Sequence, residues 1–544
     1  MFCPLDCWDS CNLQLVENKF IGLEPTPYLC WKLNNYFNFP RKISAKFNGN
    51  NIMLNEALKK LTYILKNTNP KRVLFIKGSG NMGIMQNVTK LFFERFGATF
   101  AVGSTCDGIG EKGIKKARGK SLILPTWIIK NAKNVLIWGR NPYVTNTNLL
   151  PLIKNKYVAT IDVIKTKTAK NSNIFIQVKP NSDYYLAILL SQMVIENGSY
   201  KTSDNFEEFK KFVFSYNKEY LMKKCGLSNE NSMKLFEIIK EGAVVLTGLG
   251  IAKCKECYKT TWAIDSLFYM LDYFGKSDRG VAFLGSSGYG LNNPFSFNHK
   301  NQVPLFDVNL DEFDVVFIQG ANPLVSFVGR EWEKLREKTT IVFGKYMDET
   351  AKIATLFIPT KDFYCKKNIR GSYFNEYVMV NKEVKKCEGI SEYELTKYLM
   401  DEFGFDNLRS ESEYIDEILG DEVERVNDSL YIKKVFKKPP YSEGFFTNNK
   451  KFKFLAERFE REEKEFEIVT AKHQNALNSQ FIRDESIYIN PGSNIIMLNW
   501  IKRNFDEKVI KYDFSLPKDI IFAKGGSEIN KVLKAKGKNA YYEI

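Results

Sequence analysis

The 544-residue chain has only two histidines, His299 and His473. Imidazole is the side chain that titrates nearest neutral pH, so proton relays built on it are scarce. Acid or base work falls to carboxylates such as Asp107, or to lysines. The chain also lacks any run near the roughly 18 to 20 uninterrupted apolar residues that a membrane span needs. Its longest apolar stretch, YYLAILLSQMVI, reads as an amphipathic helix, and a soluble or peripheral protein is expected. Met1 stands directly before the first cysteines, which leaves no room for a signal peptide or twin-arginine leader, and cytoplasm is the expected location. Ten cysteines in so long a chain do not make a disulfide scaffold, in keeping with a reducing compartment. The net charge of +16 comes without a sustained basic stripe or an RNA-binding signature. Its lysines are scattered among Asn, Ile, Phe and Tyr, so the charge reads as a solvated surface and nucleic acid is not expected as a partner.

What the chain does have is sulfur at its start. Cys3, Cys7 and Cys11 are set in CPLDCWDSCNLQL, and Cys30 follows in YLCWK. Three thiols in close succession, closed by a distant fourth, can surround one cubane iron–sulfur cluster, because thiolates are the soft ligands that such chemistry selects. Four thiolates could also hold a structural zinc, although zinc modules usually present two compact pairs. Cys254 and Cys257 form another C-x2-C in KCKEC; with no second pair beside them they read as free thiols at a helix start.

Behind the cysteines the sequence falls into short β-branched runs that stop at glycine or asparagine, each followed by a helical pattern. RVLFIKGSGNMG, NVLIWGRNP, AVVLTGLG and DVVFIQGANP are the clearest, with YVATID, TTIVFG and ATLFIP between them. Such runs read as buried parallel strands. Their alternation with QNVTKLFFERF, TWAIDSLFYMLDYF and EYELTKYLMDEF predicts an α/β chain with open, doubly wound sheets. Ligands of such sheets bind at the carboxyl ends of the strands, where these glycines lie. Glycine there allows positive φ and lets backbone N–H groups approach a phosphate. A lone string such as Gly78, Gly80 and Gly83 is weak evidence; four such turns are stronger. The charged stretch from about Asn407 to Lys451, with KKPPY inside it, reads as a connection, and FEIVTA, SIYIN and DIIFA beyond it as a small β-rich cap. A single core seldom exceeds about 250 to 300 residues, so three or four units are expected.

Taken in order, these strings resemble the molybdopterin, or tungstopterin, oxidoreductases of the dimethyl sulfoxide reductase superfamily. The resemblance runs through CPLDCWDSC, Cys30-Trp31-Lys32, WGRNPYVTN, IDVIKTKTA, VKPNSD, TGLG, IQGANPLVS, DETAKIATLFIPT and TAKHQNALNSQF. It implies a [4Fe-4S] domain over 1–47 and a discontinuous pterin-binding α/β domain over 48–130 and 311–405. It further implies a second such domain over 131–310, a connection over 406–455 and a cap, a reduced barrel, over 456–544. By position, Cys3, Cys7, Cys11 and Cys30 become cluster ligands and Lys32 the lysine between cluster and pterin. Gly78, Ser79, Gly80 and Asn81 fall on the loop near one pterin; Gly139, Arg140, Asn141 and Thr145 fall on a loop of the other half. Asp162, with Thr166 beside it, suits a guanine or ribose edge, and Asn181, Ser182 and Asp183 occupy a guanine-binding position. Gly248, Gly250, Gly320, Asn322 and Pro323 fit pterin or nucleotide contacts, and Asn478 and Ser479 fit contacts from the cap. Cys106 in VGSTCDGIG is the expected metal ligand, set against a buried structural cysteine or ligation by Asp107 or Ser104.

The cofactors so implied are one [4Fe-4S] cluster and two molybdopterin guanine dinucleotides holding Mo or W. The implied partners are a small-molecule substrate and an electron-transfer protein, ferredoxin-like or an iron–sulfur subunit. Asp107 stands where members of the formate dehydrogenase type carry histidine, which disfavours formate. A sulfur compound such as thiosulfate or polysulfide is the first expectation, and a formate dehydrogenase-like enzyme the second. Ile164 and Lys165 replace an arginine pair and Asn181 a glycine, which keeps open a pterin-free electron-transfer subunit like the relative in respiratory complex I. That subunit would keep the cluster cysteines and lose the metal ligand.

Overall fold

The computed structural model describes residues 1–39, 44–460, 464–525 and 528–543. Strands Val73–Lys77, Val315–Gln319, Thr339–Gly344 and Leu356–Pro359 run parallel in an eight-stranded sheet. Thr99–Val102 and Gln302–Pro304 extend it on one side, and an antiparallel hairpin of Ala45–Phe47 with Asn50–Ile52 on the other. Side chains alternate across the strands into two cores. Val73, Phe75 and Phe317 pack on one face, and Leu74, Ile76, Val316 and Ile318 on the other, which is why these strands read as unbroken apolar runs. A second, all-parallel sheet orders Gly280–Ala282, Ala243–Thr247, Asn134–Trp138, Tyr157–Asp162 and Ile174–Gln177.

Each sheet reverses its winding once. In the first, the reversal lies between Val73–Lys77 and Val315–Gln319, paired from Val73 with Val315 to Lys77 with Gln319. In the second it lies between Asn134–Trp138 and Ala243–Thr247. Loops leave in opposite directions at such points, so a crevice opens beyond the strand ends.

Several segments lie elsewhere than expected. Ala45–Phe47, expected with the cysteines, pairs with Leu356–Pro359. Helices Gly108–Arg118 and Thr126–Asn131, expected with the eight-stranded sheet, pack on the five-stranded one through Ile109, Ile114 and Ala117 on one face and Ile128 and Ile129 on the other. Gln302–Pro304, expected with the five-stranded sheet, pairs with Thr99–Val102. The expected connection carries structure: Val423–Arg425 and Leu430–Lys433 join Asn368–Gly371 and Tyr377–Asn381 in an antiparallel sheet. Helix Glu411–Leu419 begins there with a capping box between Ser410 and Glu413 and buries Tyr414, Ile415 and Ile418. Its charges cover the outer face, and so the segment reads as irregular surface.

Helix Asp183–Asn197 is buried from Asp183 to Ile195, not amphipathic, because helices Phe206–Val213, Lys218–Cys225, Asn229–Glu241 and Tyr258–Met270 wrap it. In place of a barrel, the described residues of the cap form an open, mixed sheet, Glu467–Ala471, Ile520–Lys524, Ile487–Ile489 and Ile510–Tyr512 in order, with helix Ile495–Asn504. Cys254 and Cys257, expected as free thiols, form a disulfide, because the turn entering helix Tyr258–Met270 bonds Cys257 N to Cys254 O and stacks the two residues. Cys365 and Cys387 form another. Among the described residues no helix is long and apolar enough to cross a membrane.

Helices Gly108–Arg118 and Tyr258–Met270 are joined by Arg118 and Asp265, whose side chains are 1% and 2% exposed. Arg118 Nε donates to Asp265 Oδ2 at 2.6 Å, and a second prong joins Nη2 to Oδ1. Breaking such a pair strands a charge in the core. Asp265→Ala is therefore expected to lower unfolding stability by about 3 to 5 kcal/mol, read from urea denaturation; an unchanged midpoint would show that water reaches the pair.

Candidate functional site

Both reversal points are built without side chains. At the first, Gly78 N donates to Gln319 O at 2.9 Å and Gly80 N to Gly320 O at 3.3 Å. A Cβ on Gly78 would lie 2.4 Å from Gly320 O. At the second, Gly248 N donates to Trp138 O at 2.9 Å and Gly250 N to Gly139 O at 3.2 Å, and a Cβ on Gly248 would lie 2.2 Å from Gly139 O. Gly139 and Gly320 share a left-handed conformation, φ +60° and +59°. Each opens a G-x-N-P string whose proline starts a short helix, Pro142–Thr145 or Pro323–Ser326. The match extends further. Asn141 Oδ1 accepts from Thr168 Oγ1 at 2.7 Å, and Asn322 Oδ1 from Thr350 Oγ1 at 2.7 Å. The sequence carries this repeat openly, as Thr168-Ala169-Lys170 against Thr350-Ala351-Lys352.

Both crevices open into one cavity of about 650 Å³. Of the expected residues, Gly78, Ser79, Gly80, Asn81, Gly320 and Asn322 line it from the first half. Gly139, Arg140, Asn141, Thr145, Asp162, Thr166, Asn181, Asp183 and Gly250 line it from the second. Asn478 and Ser479 reach it from the cap, and Cys3, Cys7, Cys11, Cys30, Lys32, Cys106 and Asp107 from its remaining walls. Three expected residues stand away from it. Ser182 turns its hydroxyl to Lys179 O at 2.6 Å, Gly248 is pressed on the Gly139 carbonyl, and Pro323 serves its helix.

The acidic side of the second crevice is strongly desolvated. Burial pushes the Asp162 carboxyl up to about 7 and Asp183 to about 6, the latter against a hydrogen bond from Trp138 Nε1 at 2.6 Å. In the first crevice burial lifts Asp348 to about 7. Its neighbour Glu349 resists the same burial: hydrogen bonds from Arg483 and Asn322, both 2.8 Å, draw it down to about 2. Burial and the charge of Lys90 bring Lys77, on the cavity wall, down to about 7.

The cysteine end is a buried knot. Cys3 N donates to Cys11 O at 2.8 Å, and Leu5 N and Asn148 Nδ2 point at the sulfurs of Cys3 and Cys11, each at 3.4 Å. Burial raises Cys3, Cys11 and Cys30, and each also feels the charge of other thiols of the set. A hydrogen bond with Cys3 brings Cys7 down to about 7. Among the described residues no group of three or more His, Cys, Asp or Glu could hold a single metal ion; the four thiols face the cavity instead. Lys32, 6% exposed, donates to Gln474 O of the cap at 3.0 Å. Cys106 opens into the cavity from a turn in which Ser104 Oγ accepts from Cys106 N at 3.1 Å and donates to Asp107 Oδ1 at 2.8 Å. Cys106 is exposed within the cavity, and desolvation by the surrounding protein, with the charges of Asp107 and Asp6, pushes its thiol up to about 12.

Sequence reasoning missed the ties between these parts. Asp9 is 2% exposed and accepts from Asn146 Nδ2 and Asn148 N, both at 3.0 Å; Arg140 donates to Asn146 Oδ1 at 2.9 Å and stacks 3.6 Å over the Trp8 ring. It also missed Arg370, which donates to the carbonyls of Cys3, Leu5 and Cys7.

Two parallel-sheet halves that converge on one cavity define an α/β protein built to grip a cofactor. A family model of molybdopterin oxidoreductases matches residues 53–376. The chain belongs to the molybdopterin oxidoreductases, a family of enzymes that carry molybdopterin with Mo or W. Among curated relatives, the probable oxidoreductase YyaE of Bacillus subtilis is 25% identical over 519 residues, covering 84% of this chain and 77% of that one. The formate dehydrogenase subunit alpha of Methanocaldococcus jannaschii is 23% identical over 327 residues, 51% of this chain and 48% of that one. Acetylene hydratase from Pelobacter acetylenicus shares the fold, with TM-score 0.74 and 13% identity over 96% of this chain and 92% of that one.

Asp162 gives a pH test. A carboxyl whose folded-state pKa exceeds its unfolded one takes up a proton on folding, so its penalty is nearly absent at about pH 4 and grows as pH rises toward 7. In cofactor-free protein, Asp162→Asn is expected to raise stability at about pH 8 by something on the order of 2 kcal/mol and to change little at about pH 4. Equal effects at both pH values in urea titrations would contradict burial as the cause.

Proposed function

We propose that the chain is a molybdenum or tungsten bis-pterin oxidoreductase with one [4Fe-4S] cluster, performing two-electron redox on a small substrate. The observation that carries this reading is the meeting of four N-terminal thiols, Lys32, Cys106 and both glycine crossings on one cavity. The donors suit the groups. Gly80, Gly139 and Gly320, all at positive φ, leave backbone where a pyrophosphate needs close approach. Arg140 Nε is buried with no hydrogen-bond partner, which a phosphate oxygen would supply. Asp162 and Asp183 are carboxyls that guanine N–H donors would hold ionised.

When bound, the pterin dithiolenes and their metal supply the redox chemistry. Cys106 would hold that metal, and Cys3, Cys7, Cys11 and Cys30 the cluster. Lys32 lies close enough to act on Cys30 by its charge, and with the cofactors bound it would stabilise negative charge between them. Lys77, brought near neutrality by burial, can hold or yield a proton at the wall in a protein with so little histidine. A sulfur compound such as thiosulfate or polysulfide is the first substrate, because Asp107 follows Cys106 where formate-type members have histidine. Formate is the second reading, favoured by relatives named for it. Electrons pass to a ferredoxin-like protein or iron–sulfur subunit in the cytoplasm. The open cavity and Cys106 argue against a pterin-free subunit.

Elemental analysis with pterin extraction on anaerobically purified protein tests the proposal. Iron with Mo or W and guanylated pterin is the expected result; iron alone would favour the electron-transfer subunit, and zinc alone would reject both. Cys106→Ala is expected to abolish turnover while iron content stays at the wild-type level. Retained turnover in that variant would remove Cys106 as the metal ligand.

A further inference from the structure

Arg370 lies on strand Asn368–Gly371 and its side chain is fully buried. Its Nη1 donates to Cys3 O at 2.8 Å and Leu5 O at 2.9 Å, and its Nη2 to Cys7 O at 2.8 Å. Its Nε is buried without a hydrogen-bond partner. Among the described residues it forms no ion pair with a carboxylate. Asp9, on the same cysteine loop, spends its oxygens on Asn146 and Asn148. A guanidinium taken out of water without an opposite charge is strongly disfavoured unless something nearby supplies that charge. Three carbonyl dipoles supply part of it. The charged species this loop is built to present, four thiolates around iron, supplies the rest.

The geometry also separates two roles that one residue combines. Drawing the carbonyls of Cys3, Leu5 and Cys7 toward one side fixes the loop, and Leu5 N is left facing the Cys3 sulfur. Ser372 Oγ and Asn375 Nδ2 hold the same loop at Trp8 O and Asp9 O, at 2.8 and 3.0 Å, so anchoring does not rest on Arg370 alone. Charge does: neither of those neighbours is a cation.

We infer that Arg370 is a positioning residue of the electron-transfer centre, whose buried positive charge favours the reduced form of the cluster carried by Cys3, Cys7, Cys11 and Cys30. This rests on the iron–sulfur reading proposed above. The step concerned is the entry of one electron into the cluster, with no bond made and no proton moved. Adding that electron makes the centre more negative, and a nearby cation in a low-dielectric setting stabilises it.

The test uses full-length protein purified anaerobically, with iron counted per chain and the midpoint potential followed by electron paramagnetic resonance during titration with dithionite. Arg370→Gln, which keeps a hydrogen-bond donor and loses the charge, is expected to retain iron and to shift the reduction equilibrium at least tenfold toward the oxidised form, about 59 mV lower for one electron. Arg370→Lys, which keeps the charge and loses the fork, is expected to stay near the wild-type potential. Iron lost in the Gln variant and kept in the Lys variant also supports the charge. Iron-loaded Arg370→Gln at the wild-type potential overturns the inference, as does loss of iron from both variants, which would leave Arg370 a loop anchor. Wild-type protein without iron overturns the iron–sulfur reading itself, and the inference with it.

Discussion

The contact on which the molecule depends is backbone against backbone at the two points where the sheets reverse. Gly78 sits on the Gly320 carbonyl and Gly248 on that of Gly139, at distances no Cβ could tolerate. Because the glycines bring no side chain of their own to these crossings, strand ends approach closely enough for the loops beyond them to fan apart into crevices. The asparagine that follows, Asn141 or Asn322, is fixed by a threonine from the helix beyond the next strand. Position is thus handed from sheet to loop through short, stiff links. The two halves repeat the device in opposite chain order, the G-x-N-P string following the later strand at the first crossing and the earlier strand at the second, so one solution to gripping a ligand serves twice.

Around that cradle the charges are left unsettled in a patterned way. Asp162, Asp183 and Asp348 are carboxyls pushed up by burial; Arg140 and Arg370 each bury a nitrogen with no partner. Groups of this kind burden a folded chain, and a protein of marginal stability carries few of them without return. Their concentration around one cavity and the adjoining thiols is the pattern expected where a ligand completes the hydrogen bonding. By contrast, Arg118 and Asp265, equally buried but away from the cavity, satisfy each other.

How much of this could be read from sequence follows from which interactions are local. Val73–Lys77 or Ala243–Thr247 is legible because a strand covered on both faces must be apolar throughout, and the glycine after it is the signature of the crossing. Helix Asp183–Asn197 was misjudged because the same apolar run can coat one face or fill a core, and only the four helices around it decide. Glu411–Leu419 was hidden by its charged outer face although its capping box lay in plain view. The cavity residues were found where a motif carries them. Arg370 was not, since its partners lie more than 360 positions away and nothing near it in sequence announces them. The paired G-x-N-P and T-A-K strings are local enough to be legible in the sequence, and they mark the two halves as one design.

The cap is attached through side chains and main chain together. Gln474 takes Lys32 on its carbonyl and Lys167 on its side chain at 3.2 Å, Asn478 reaches Asp6 at 3.5 Å, and Arg483 holds Glu349. Main chain joins the cap as well: Gly329 N donates to Asn530 O at 3.0 Å, Ser104 N to Lys538 O at 2.7 Å and Phe306 N to Gly537 O at 3.1 Å, while Val328 and Ile164 pack into its apolar clusters. The cap is thus a wall of the cavity joined to both halves by main chain and apolar packing as well as by charged side chains. Gln474 is placed by a lysine from the cysteine segment and another from the second half, so one residue of the cap ties the two together at the cavity rim.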